Sequence, residues 1–122
     1  MVEIASRRLL TSLGLRTLDP SDPRYRGHYA GAGAERDASY HQGTVWPWLL
    51  GPFVSAHLRV HGDPETALSF LEPIAHHLEQ YGVGTIAEIC EGDPPFAPCG
   101  CIAQAWSVAE VLRAWHEASA AR

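Results

Sequence analysis

Two short stretches hold most of the residues in this chain that can do chemistry. The first, YHQGTVWPW at positions 40–48, sets Tyr40, His41, Gln42 and Trp46 almost side by side. An aromatic face next to hydrogen-bonding side chains is the usual way a protein holds a sugar. The ring's apolar face lies on the indole, and its hydroxyls go to the polar groups. The second, GTIAEICEGDPP at 84–95, places Glu88 between Ile86-Ala87 and Ile89-Cys90. A carboxyl group inside an apolar run is desolvated, which raises its pKa and suits it to general acid or base work. Each stretch has a plainer reading: an aromatic-rich core corner for the first, and a simple ion pair between Glu88 and Arg36 for the second.

Helices must position these stretches. Residues 3–13 carry Ile4, Leu9, Leu10 and Leu13 near helical spacing, with Gly14 as the stop. From Leu15 to Tyr40 the periodicity fails, and Asp-Pro and Gly steps predict a long loop with at most a short strand or two. Val45 to Val60 reads as a helix with Val45, Trp48, Leu49, Phe53, Ala56 and Val60 on one stripe. Pro47 fits its first turn, and Pro52, lying deeper, predicts a kink. Asp63-Pro64-Glu65 is a strong start signal for the next helix, which runs to Gly82 with Pro73 weakening its middle.

After a loop from Gly84 to Gly100, the last helix spans Ile102 to Ala118. Its predicted buried stripe is Ile102, Ala105, Trp106, Ala109, Leu112 and Trp115. Trp48, Trp106 and Trp115 are expected in the core. His57, His61, His76, His77 and His116 are expected at the surface or at helix ends. The pattern predicts an all-α fold, about four helices joined by long loops, in a single domain over residues 1–122.

Composition narrows the function classes. The formal net charge is -5, and all nine basic residues are arginines that form no basic run, which argues against a nucleic-acid partner. No stretch approaches the roughly 18 apolar residues that span a bilayer, and the N-terminus has no signal-like arrangement. A cytoplasmic protein without a membrane role is the expectation. Cys90, Cys99 and Cys101, spaced C-x8-C-x-C, match no common zinc pattern and read as buried or half-buried thiols. No metal is expected there or at the His76-His77 pair.

Three blocks carry a family resemblance: GLRTLDPSDPRYRGHYAG (14–31), SYHQGTVWPWLLGPFVSAHLRVHGD (39–63) and GTIAEICEGDPPFAPCGCIAQAWSVAEVLRAW (84–115). In this order they resemble the C-terminal portion of the glycogen-debranching amylo-α-1,6-glucosidases. The resemblance implies an (α/α)6 barrel whose loops at one end form a pocket for a glucosyl unit. It implies inverting hydrolysis of α-1,6-glucosidic branch points in glycogen-like glucans, with Glu88 as general base. It also implies a substrate-binding wall of Arg36, Asp37, Tyr40, His41, Gln42 and Trp46, and no cofactor.

Inversion uses two carboxyl groups about 6.5–9.5 Å apart, and the family's acid lies upstream of the matched blocks. The chain is therefore expected to form a partial barrel. It should be inactive alone and should associate as a homo-oligomer or with a complementing chain. The alternative is a non-catalytic carbohydrate-binding or vestigial module. Cys90, Phe96 and Cys99 stand where the family pattern has an aromatic, a His and an Arg, which bears on fine substrate positioning.

Overall fold

Gly62 ends one helix in the left-handed conformation, and Asp63 begins the next by accepting the Thr66 amide at 3.1 Å. In the computed structural model, which describes all 122 residues, this junction joins α3 (Leu50–His61) to α4 (Pro64–Ser69). The start signal read from Asp63-Pro64-Glu65 is thus the one the chain uses. The other helices are α1 (Val2–Arg8), α2 (Gly33–Ser39), α5 (Glu72–Gln80) and α6 (Ala105–Ala120).

The prolines act at element boundaries. A 3-10 turn over Pro47–Leu49 leads into α3, so Pro52 falls in the first α-helical turn, where its missing N–H is not needed. The kink expected at Pro52 assumed a helix from Val45; α3 begins only at Leu50, so Pro52 stands at its start and not in its interior. Pro73 divides the predicted 63–82 helix outright. Helix α4 stops at Ser69, and α5 restarts with Pro73 in its first turn.

The all-α expectation is corrected by a small antiparallel sheet of four strands: β1 (Leu15–Arg16), β2 (Val45–Trp46), β3 (Ile89–Cys90) and β4 (Pro98–Cys99), in that order. Each strand has two residues, too few to show any alternation in sequence. Leu15 pairs with Trp46, Val45 with Cys90, and Cys90 with Pro98. Gly14 permits this packing, because a Cβ there would lie 2.5 Å from the Trp46 carbonyl oxygen. The sheet therefore stitches the 40–48 stretch to the strand that follows Glu88. Closure of a barrel is not seen in these helices.

The core forms where α3, α4, α5 and α6 meet. Leu50, Val54, Ala67, Leu71, Ala114 and Ala118 lie at its centre, and Phe53, Leu68, Ile74, Ile86 and Val111 close it. Each large aliphatic chain buried here contributes about 1.5–3 kcal/mol. A polar edge ties α3 to α6: Ser55 donates to Glu117 at 2.5 Å, and Arg113 bridges Glu110, Glu117 and Ser55.

The stripe predicted for the last helix is the wrong face. Ser107, Val111, Ala114 and Ala118 are buried, whereas Trp106, Leu112 and Trp115 are 52%, 65% and 47% exposed. The helix has apolar residues nearly all round, and its smaller ones lie against α3 and α4. Trp106 stacks on half-buried Trp48 at 4.1 Å instead of entering the core. Two histidines are also corrected: His57 and His77 are buried. No helix is long and apolar enough to cross a membrane.

Candidate active site

Glu88 lies immediately before β3, where the pairing of β3 with β4 extends by one hydrogen bond from the Glu88 amide to the Cys101 carbonyl at 2.9 Å. This fixes the backbone and turns the side chain toward an open cleft of about 450 Å3. Tyr29, Arg36, Glu88, Cys99 and Cys101 line it, with Ala30, Gly31 and Gly100 between them. The Tyr40 hydroxyl donates to Oε1 of Glu88 at 2.6 Å, Gln104 Nε2 reaches the same oxygen at 3.4 Å, and the Cys101 amide donates to Oε2 at 3.0 Å.

Burial pushes the Glu88 carboxyl up. The hydrogen bonds from Tyr40, Cys101 and Gln104 together outweigh it and leave the group below the usual carboxylate range. The raised pKa expected from the apolar flanks is thereby corrected. An ionised carboxylate at neutral pH is set to accept a proton, not to give one. Burial and the bond to Glu88 raise the Tyr40 phenol well above its ordinary value, so it remains a donor. No ion pair joins Glu88 to Arg36, although both line the cleft.

Tyr40 closes the C-terminus of α2, and its carbonyl is held twice, by Thr44 Oγ1 at 2.6 Å and Trp46 Nε1 at 3.1 Å. That clamp sets the phenol over Glu88. Trp46 is 7% exposed, with the His41 ring stacked on it at 5.1 Å and the Tyr40 ring at its edge at 4.9 Å. The indole thus packs behind exposed His41; neither His41 nor Trp46 lines the Glu88 cleft, and Tyr40 meets it through its hydroxyl bond to Glu88. Arg36 reaches the cleft from α2. Asp37, one position on, is exposed and is not among the lining residues. Gln42 lines a separate cleft with Arg24, Tyr25 and Arg26.

The structure adds three residues to the site. Tyr29, whose ring is 5.8 Å from that of Tyr40, has its amide held by Glu91 at 2.8 Å. Gln104 ends the 84–104 loop, and its polar side chain between Ala103 and Ala105 was the available signal. Cys101 brings both its amide and its thiol to Glu88. The nearby carboxylate charge and that bond raise the Cys101 pKa, and burial pushes Cys90 and Cys99 up to about 12. All three thiols are therefore protonated at neutral pH.

A family model described as amylo-alpha-1,6-glucosidase matches residues 1–113 of the chain. The glycogen debranching enzyme of Saccharomyces cerevisiae is 38% identical over 66 residues, covering 49% of this chain. The match covers 4% of the yeast protein, so the chain corresponds to a small part of that relative's length.

Proposed function

The chain belongs to the amylo-alpha-1,6-glucosidase family, and from that premise we propose that the Glu88 cleft receives a glucosyl unit of a branched α-glucan for inverting hydrolysis at an α-1,6 linkage. The observation that carries this reading is the ionised Glu88 in an open cleft, held by the donors Tyr40, Cys101 and Gln104. In the reaction Glu88 takes a proton from the water that attacks the anomeric carbon, opposite the leaving oxygen. Tyr40 keeps its own proton and fixes the carboxylate's direction. Arg36 and Tyr29 line the sugar's side of the cleft and His41 extends the wall. Asp37, Gln42 and Trp46 complete the proposed binding set, with Trp46 acting from behind His41.

Protonation of the leaving oxygen needs a second carboxyl group, and Glu88 is the one acid lining the cleft. The proposed acid comes from helices that complete the (α/α)6 barrel, on a longer or complementing chain. Ile102, Trp106, Leu112 and Trp115 expose apolar surface that supports such association, or pairing with a second copy.

The single carboxylate also favours a second reading, a carbohydrate-binding module without turnover. Two measurements separate them. Isothermal titration with isomaltose is expected to show heat for wild type and less for His41→Ala; absence of heat with any glucosyl sugar removes both readings. Glucose release from an α-1,6-branched dextrin is expected only after complementation, and to be lost in Glu88→Gln. Clear release by the 122 residues alone contradicts the need for an outside acid.

A further inference from the structure

His77 on α5 lies outside the cleft and has no part in the chemistry above. It is 4% exposed, and its Nε2 accepts the amide hydrogen of Ala87 at 3.1 Å. Ala87 is fully buried and immediately precedes Glu88. Besides the bonds to the Glu88 carboxylate, the segment's backbone is tied to the approach to α6: Gln104 N–H to Ile86 O and Glu88 N–H to Cys101 O, both at 2.9 Å. The bond from Ala87 instead fastens the segment to the helical body, and a side chain makes it.

We infer that His77 is a positioning residue for Glu88: its neutral ring, protonated on Nδ1, holds Ala87 and thereby sets where the carboxylate stands. This rests on the reading of Glu88 as the base. Only a neutral imidazole offers a lone pair to an amide. Without that acceptor a buried N–H is left unpaired, and the segment must move to satisfy it.

The surroundings keep the ring neutral. His76 on α5 and Tyr81, which caps its C-terminus, are the titratable groups beside it, with the Tyr81 ring at 5.8 Å. From the other elements Ser12, Leu13, Pro95, Phe96 and Pro98 share its cleft, and none is charged. Burial alone lowers the His77 pKa.

The test uses NMR of the 122-residue chain from pH 7.5 to 4.5, following His77 ring nitrogens, the Ala87 amide and the Glu88 carboxyl carbon. The expected result is the Nδ1–H tautomer at pH 7.5. As His77 protonates, the Ala87 protection factor should fall by about tenfold, with a matching second step at the Glu88 carboxyl. His77→Gln, which keeps an acceptor but cannot titrate, should hold Ala87 protected across the range, and His77→Leu should lose that protection at every pH. An Ala87 amide whose protection ignores the His77 titration in wild type overturns the inference, even if no variant folds. These readouts need no turnover. An assembled enzyme that stays active as Glu88→Gln would instead sink the base assignment while leaving the His77–Ala87 coupling measurable.

Discussion

Glu88 takes hydrogen bonds from a phenol, a backbone amide and a carboxamide, and no arginine pairs with it. Its ionisation therefore depends on neutral donors, of which Tyr40 is the strongest side-chain one. Tyr40→Phe should raise the Glu88 pKa, read from its carboxyl carbon by NMR, and cost about 1 kcal/mol of stability; an unmoved titration would show that the phenol does not hold the carboxylate. Cys101 reports the same charge from the other side. Exposed but kept protonated by Glu88, it should react slowly with iodoacetamide at pH 7.5, and Glu88→Gln should accelerate it. Equal rates in the two proteins would separate the thiol from the carboxylate. The sequence made Glu88 conspicuous through its apolar flanks, yet gave the wrong direction for its pKa. The groups that decide that direction arrive from 13, 16 and 48 positions away.

Among the elements, the α3–α4 junction was the most legible, since Asp63, Pro64 and Gly62 act through neighbours in the chain. Asp63→Ala should lower stability by about 1 kcal/mol in urea unfolding; no change would mean the cap is replaced by solvent. Helix α6 was the least legible in orientation. An apolar helix surface has no preferred face until it meets α3, and there the small residues were chosen. The sheet escaped notice because two-residue strands carry no period.

The buried histidines could not be found by pattern, but they have a measurable effect. Burial lowers the pKa of both His57 and His77 in the folded chain. Below about pH 6.5 the unfolded chain then binds more protons than the native one. Their stabilising contribution is complete above that pH and is lost as the pH falls through the lowered folded values. Tm should drop between pH 7 and 5, before the carboxylates titrate, and the double variant His57→Phe/His77→Gln should flatten that limb. A wild-type Tm constant over this interval would contradict the assignment.

At the scale of the whole molecule, two kinds of cohesion coexist. Helices α3 to α6 share a continuous apolar core, in which α6 packs on α3 and Glu117 meets Ser55 across 62 positions, while the cleft is held by two-residue strands and single side-chain bonds. Arg16 donates to the Gly92 carbonyl 76 positions away at 2.7 Å, and Tyr40 reaches Glu88 across 48. On the outside, Trp106, Leu112 and Trp115 leave apolar area free. Sedimentation at micromolar concentration should therefore show association that Leu112→Glu weakens; a monomer in both cases would count against it. The two-residue strands have a kinetic consequence as well. A two-residue pairing makes few bonds, so it repays little of the loop-closure entropy it costs, whereas α6 on α3 buries a continuous apolar face. The helical body can condense first, with the cleft closing onto it only when β1, β2 and β3 find their register. In reverse, the cleft should be the earliest part to open in native-state hydrogen exchange. Amides of Val45, Glu88 and Cys90 should exchange through a sub-global opening while Val54 and Ala114 wait for the whole chain to unfold. On this view the cleft is a separately melting unit resting on a scaffold that outlasts it.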